Sequence, residues 1–291
     1  MTFNSKKLEL LRYGNNSTLK AESSYISPDG STIPEKAHVK DLGVMMSNAG
    51  TFSEHINTVC QKARDMCSWI LRTFKSRSPE VMKTLWKSLV LPILDYCSQL
   101  WCPIRAGQIQ QLEEIQQSFT RKIKFDERPD YWDRLTLLKM YSLQRRRERY
   151  RIIYVWKILE QQVPNISREG NSGIQKLRMD NTRNGRTCQL PTQINSASAK
   201  TKHLREGSFT HHGSQLFNAL PKDLRNLTNC SLPIFKTRLD KFLQQIDDKP
   251  LVRGYTAGRQ AVSNSLTAVI PHHNRQPGTN PLRRSAPALR V

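Results

Sequence analysis

The stretch Ser78 to Trp101 limits the fold more than any other part of the chain, because it is apolar on nearly every side and holds a proline in its middle. Ser78 can cap the free backbone donors of a helix, and Pro79 suits the first helical position, where a missing N–H costs nothing. Beyond it Met82, Leu85, Trp86, Leu89, Val90, Ile93 and Leu94 recur at three- and four-residue spacing, and Leu91, Tyr96, Cys97, Leu100 and Trp101 widen the stripe. A helix with so little polar surface belongs in the middle of a bundle. Pro92 removes one helical hydrogen bond and predicts a kink or break at that point.

Other segments supply the partners. Thr51 and Glu54 have capping-box spacing, and Ile56, Val59, Cys60, Ala63, Cys67, Ile70 and Phe74 mark a helix of about six turns. Its outer side carries Lys62, Arg64, Arg72 and Lys75, with Arg77 just beyond. A helix over 108–124 points Ile109, Leu112, Ile115, Phe119 and Ile123 inward, leaving Gln110, Gln111, Gln116 and Gln117 as a polar face. After a break at 126–129, Tyr131, Trp132, Leu135, Leu138 and Met140 form a short helix, and Ser142 begins the most basic one. Residues 121–157 hold twelve Lys and Arg against five Asp and Glu, and five arginines fall within 145–151. Arg147 shares a side with Leu143, Tyr150, Tyr154 and Ile158, so its stem is expected against the bundle, whereas Arg145, Arg146 and Arg149 point elsewhere. Guanidinium forks suit phosphate oxygens better than ammonium groups do. A nuclear-localisation patch reads the same way.

Residues 1–50 read as strands and turns, with breaks at Gly14-Asn15-Asn16 and Ser27-Pro28-Asp29-Gly30 and a further strand over Val39–Val44. Residues 164–187 are polar and glycine-bearing and read as a linker; 188–248 form a small helical unit whose last helix carries Phe235, Leu239, Phe242, Leu243 and Ile246. Residues 249–291 hold no acidic residue, and Arg253, Arg259, Arg275, Arg283, Arg284 and Arg290 join Lys249 among Pro, Ser and Gly, a pattern of disorder. The expected fold is therefore mainly α: a short β-rich N-terminal segment (1–50), a helical bundle (51–163), the linker, the small C-terminal helical unit and a disordered basic tail.

A formal charge of +22, from 46 Lys and Arg against 24 Asp and Glu, favours an anionic partner, nucleic acid ahead of a membrane surface; a basic tail that binds nothing specific is the alternative. Six cysteines form no C-x-x-C pair, and His203, His211 and His212 with Cys188 and Cys230 fit no zinc spacing, so reduced thiols are expected and no metal or cofactor is implied. Lys87 and Asp95 interrupt the longest apolar run, which predicts a soluble, intracellular protein without a membrane span.

Several blocks, in order, carry a family resemblance: Phe3-Asn4-x-x-Lys7, Lys40-Asp41-Leu42-Gly43-Val44, the Ser78–Trp101 stretch, Leu112-Glu113-x-x-Gln116-x-x-Phe119-Thr120, Trp132-Asp133-Arg134-Leu135, Ser208-Phe209, Phe217-Asn218-x-Leu220-Pro221 and Phe235-Lys236-x-x-Leu239. From about Phe3 to about Phe242 the chain resembles the part of LINE-type (non-long-terminal-repeat) retrotransposon reverse transcriptases that follows the catalytic palm, particularly in jockey-like and chicken-repeat-like elements. Leu8 stands where that family has Cys, and Phe217 where it has Trp. The resemblance implies the exit of the palm, a helical thumb-like bundle and the region after it. The family's paired catalytic aspartates would precede Phe3 and are not in these residues. Polymerase chemistry needs such carboxylates to hold two cations roughly 4 Å apart. Asp247-Asp248, at the end of an amphipathic segment, reads instead as a solvated helix terminus.

The expectation is a truncated reverse-transcriptase fragment, not an enzyme and with no catalytic residue. It would grip the backbone of RNA or DNA, an RNA–DNA hybrid included, through Arg145, Arg146, Arg149, Arg151, Lys62, Arg72, Lys75 and Arg77. Two alternatives stand beside it: a degenerate open reading frame without a selected role, and a protein-docking module whose exposed apolar surface would drive self-association.

Overall fold

The turn at Leu42-Gly43 makes a hairpin where the sequence pattern suggested a single strand over Val39–Val44. Both residues have positive φ, 43° and 87°, the signature of a turn whose twist matches that of the strands it joins. Strand β1 (His38–Asp41) pairs antiparallel with β2 (Val44–Ser47), His38 opposite Ser47 and Asp41 opposite Val44. The computed structural model describes residues 4, 7–13, 24–103, 105–163, 190, 192, 206–249 and 264–275. The expected turn at 14–16, the linker at 164–187 and the tail arginines Arg253, Arg259, Arg283, Arg284 and Arg290 lie outside them. The described chain is mainly helical, with this short sheet near the N-terminus.

It divides into two compact units, residues 1–75 with 85–97 and residues 76–84 with 98–291. In the first, helix α1 (Ser53–Thr73) buries the stripe Ile56, Val59, Cys60, Ala63, Cys67 and Ile70. The capping box does not form. Thr51 turns back to Ser47, whose hydroxyl donates to Thr51 O at 3.0 Å and accepts from Thr51 N at 3.2 Å, and Phe52 occupies the cap position without a side-chain bond.

Pro92 is met upstream rather than at its own position. Helix α2 (Pro79–Leu85) widens into a π-helical turn over Trp86–Val90, in which Leu91 N donates to Trp86 O, and α3 (Leu91–Asp95) takes Pro92 into its first turn. The wider turn absorbs the lost proline donor and the ring's bulk without breaking the helix. The break follows at Tyr96-Cys97, where Cys97 has φ 51°. Trp86, Val90, Leu91 and Leu94 are buried in this unit, where the π turn and α3 pack on α1. The hairpin is tied down by Tyr96, whose hydroxyl donates to Leu42 O at 2.7 Å, and by Met45 N, which donates to His55 Nδ1 at 3.3 Å.

The second unit continues with α4 (Ser98–Trp101), α5 (Ala106–Thr120), α6 (Tyr131–Leu137) and α7 (Leu143–Leu159). It then takes in α8 (Phe209–Ala219), α9 (Lys222–Arg225), α10 (Leu232–Leu243) and α11 (Leu266–Arg275). Asp130 caps α6 and Ser142 caps α7, each side chain accepting from the backbone N–H three residues on. Helix α7 is the core's axis. Ile152, Val155, Trp156 and Leu159 meet Leu216, Phe217, Phe235, Leu239, Leu266 and Ile270 in one buried cluster, with Trp156 stacked on Phe235 at 4.6 Å.

That cluster joins segments the sequence reading separated. The expected boundaries at 163 and 188 put α7 and the C-terminal helices in different domains, whereas the helices share one core across the intervening residues. The expected disorder of 249–291 is also corrected in part: Leu266–Arg275 is helical, and Leu266 and Ile270 are buried. Average composition over that tail hid a short amphipathic run, Leu266, Val269 and Ile270, that α8 and α7 were able to cover.

Candidate nucleic-acid interface

Two basic helices were expected to meet phosphate, and they have opposite environments. Helix α7 presents five arginines in 145–151, yet twelve of its side chains are buried, with no continuous solvent face. Arg145 is 0% exposed: its Nη1 donates to Ile246 O at 3.1 Å, its Nη2 to Asp247 O at 2.8 Å, and its Nε lies 3.7 Å from Asp248. Arg149 meets Asp240 through both edges of its fork, Nε to Oδ1 at 2.5 Å and Nη2 to Oδ2 at 2.6 Å. Arg151, also 0% exposed, reaches His212 Nδ1 at 2.9 Å and the carbonyls of Gln99 and Gly207 at 3.3 and 3.4 Å. Arg146, half-buried, lies over the Tyr150 ring at 5.0 Å and donates to its hydroxyl at 2.5 Å. Arg147 lies over Trp101 at 5.3 Å and donates to Leu143 O at 3.2 Å.

The expectation that Arg145, Arg149 and Arg151 face phosphate is therefore corrected. Arg145 and Arg149 meet carbonyls and carboxylates of the segments that pack around α7, and Arg151 meets two carbonyls and the His212 ring, while Nε of Arg145 and of Arg151 has no hydrogen-bond partner among the described residues. The physical reason is desolvation, since a charge taken out of water persists only with partners, and here the partners are built in. Asp248 is corrected with them: far from being solvated, it accepts from Ser142 N at 2.6 Å, Ser142 Oγ at 2.8 Å and Asn264 Nδ2 at 2.9 Å. One carboxylate thus fixes the start of α7, the end of α10's segment and the approach to α11.

Two glutamates complete this network. Glu113, 4% exposed on α5, accepts from Leu143 N at 3.0 Å, Gln144 N at 3.4 Å and the Tyr131 hydroxyl, so it sits at the positive end of α7. Burial outweighs those bonds and pushes its carboxyl up to about 7. Glu148 on α7 accepts from Leu266 N at 2.8 Å and is pushed by burial up to about 6. Gln116, read from sequence as part of a polar face, is buried and donates to the Tyr131 hydroxyl at 3.2 Å and Tyr141 O at 3.1 Å.

A cavity of about 340 Å³ beside α7 is lined in part by Cys102, Gln144, Arg147, Glu148, Glu206 and His212. Burial raises the Cys102 thiol, while burial and the Arg151 charge hold His212 down to about 3. A protonated thiol and an imidazole whose Nδ1 is held by Arg151 do not make an activated nucleophile and base. Among the described residues no group of His, Cys, Asp and Glu is placed to hold a metal ion, and no helix is long and apolar enough to cross a membrane.

The outer face of α1 is the contrast. Lys62, Arg64 and Arg72 on the helix, and Lys75 two residues past it, are exposed and make no ion pair or hydrogen bond with a described side chain. Asp65, which accepts from Gln61 Nε2 at 2.9 Å, is the single carboxylate in 60–75. Arg77, expected with them, is half-buried and belongs to the second unit. Trp69 is 45% exposed on the same face, three residues before Arg72 and seven after Lys62. The sequence reading passed over it, although its helical spacing from the two cations and its absence from the apolar stripe were both visible. No protein-family model, curated protein or solved structure matches this chain.

Proposed function

We propose that the chain is the thumb-like and following part of a LINE-type retrotransposon reverse transcriptase, and that it grips the sugar–phosphate backbone of RNA or DNA without sequence preference and without polymerising. The order and spacing of the motif blocks support the origin. The observation that carries the binding is the outer face of α1, where Lys62, Arg64, Arg72 and Lys75 stand in solvent with one carboxylate, Asp65, among them. Solvated cations with no ion pair among the described residues can exchange their counterions for phosphate, which is the sequence-independent source of nucleic-acid affinity. Arg145, Arg149 and Arg151 of α7 contribute through the fold: they bond to other segments of the second unit rather than to the ligand.

The test is binding to a labelled RNA–DNA hybrid, single-stranded RNA and duplex DNA across a salt series, with a primer-extension reaction in the same tubes. Affinity that falls steeply with salt, with no extension, is expected. Absence of binding at low salt would overturn the binding reading, and extension would overturn the assignment as a non-polymerising segment.

A further inference from the structure

The exposed face of α1 holds one large aromatic ring among its cations, and that ring has no packing role equal to its size. Trp86, Trp101 and Trp156 are each no more than 1% exposed, whereas Trp69 is 45% exposed. Its ring touches Phe74 edge-to-face, with centroids 6.0 Å apart and planes at 78°. A contact of that kind covers at most one face of an indole, so at least one face is free of Phe74. Phe74 itself is where the helix stops: its backbone turns extended after its N–H donates to Ile70 O. The indole is thereby steadied from one side at the helix's end. Its neighbours along the helix surface are Asp65 four residues before and Arg72 three after, with Lys62 one turn beyond Asp65.

We infer that Trp69 is a stacking platform for an unpaired base, so that the α1 face takes single-stranded nucleic acid in preference to an uninterrupted duplex. The inference rests on the nucleic-acid reading of this face. Lys62, Arg72 and Lys75 hold phosphates on either side of the indole, and a base turned out from the strand lies on the ring. A duplex offers phosphates to the same cations, but its bases are stacked on one another and present no free face to the indole. A platform of this kind is indifferent to sequence, because every base has a π-face. Charge complementarity sets the partner, since an apolar protein surface would have to desolvate the neighbouring Lys62, Arg72 and Lys75 to reach the same ring.

The test compares three ligands of matched phosphate count at one low salt concentration: oligo-dT, the same backbone with abasic sites in place of the bases, and a blunt duplex of half the length. Each is bound to the intact chain and to the W69A and W69F variants, and the intrinsic fluorescence of the protein is followed alongside. Oligo-dT is expected to bind about 5- to 150-fold more tightly than the abasic strand, with quenching that W69F abolishes. W69A is expected to lose that advantage and to bind both strands equally, and W69F to retain part of it. Because Trp69 is 45% exposed but packs on Phe74, W69A is expected to lower the unfolding midpoint slightly and W69F less, and binding is compared at a temperature where every variant is folded. Equal binding of oligo-dT and abasic strand by the intact chain, or an unchanged ratio in W69A, would overturn the platform and leave the electrostatic grip standing. Failure of all three ligands to bind would overturn the nucleic-acid reading and the platform with it.

Discussion

Helices α1 (Ser53–Thr73) and α7 (Leu143–Leu159) are both basic, both long and both adjacent to apolar stripes, yet one shows its charge to water and the other consumes it. On α1 the buried residues occupy a continuous arc, so Arg72 falls opposite it, with Lys62 and Arg64 on the two flanks of the exposed side. On α7 burial runs around the axis, and Arg145, Arg147 and Arg151 are sealed in with Glu148. The difference teaches that a run of arginines reports the need for many hydrogen-bond donors and not where the donors point. Five guanidinium groups supply the fork geometry that binds phosphate, and the same geometry binds carbonyls and carboxylates at the centre of a helical unit.

The sharpest way to break this comparison is to cut the sealed network. R145A should cost about 3–5 kcal/mol, since it strips Asp248 of its buried cation and leaves the carbonyls of Ile246 and Asp247 without their donor. Urea denaturation reads that loss, and nucleic-acid affinity per folded molecule should be unchanged. A variant of native stability that has lost binding would reverse the roles of the two helices.

The next effect is one of pH. Glu113 titrates at about 7 in the folded chain against an ordinary 4.5, and Glu148 at about 6, so the folded state holds more protons than the unfolded state between these values. Stability should therefore be fullest below about 4.5 for these groups and fall as pH rises toward about 7, by on the order of 3 kcal/mol for Glu113. E113Q should remove the larger part of that slope in thermal or urea unfolding measured from pH 4.5 to 7.5, leaving the part due to Glu148. A slope identical to that of the parent chain would mean that Glu113 is not the titrating group.

On the exposed helix the expected effects move to the ligand. Replacing Lys62, Arg64 and Arg72 together by Ala should weaken binding to every sequence alike and reduce the salt slope by about two to three units, while the unfolding free energy stays within about 0.5 kcal/mol. An unchanged salt slope would take α1 out of the interface. The smallest effect separates charge from geometry: R149K keeps the cation but loses the two-pronged contact with Asp240. It should cost about 1 kcal/mol of stability with no change in affinity. Weaker binding at native stability would return Arg149 to the phosphate-facing set.

Several features were legible without coordinates. The stripe of α1, the cap of α7 at Ser142 and the apolar character of the Trp86–Leu94 stretch are written in local spacing, because a helix repeats over a few residues and its capping bonds span three. The exposure of Lys62, Arg64, Arg72 and Lys75 followed from the same stripe. Less legible was the response to Pro92, since a π turn placed upstream leaves no residue signature beyond the proline itself. The fate of Thr51 was hidden too, for its bond to Ser47 depends on how a hairpin meets a helix.

What the sequence determined by itself is the buried stripe of α1, the start of α7 at Ser142 and the outward charge of α1, all of which are matters of near neighbours. What only the tertiary structure decided is the use of the α7 arginines. Asp240 lies 91 residues from Arg149, and Asp248 lies 106 from Ser142. Such partners are chosen by packing, because a buried guanidinium must find its acceptors wherever the surrounding segments place them, and no local pattern encodes a distance of that kind.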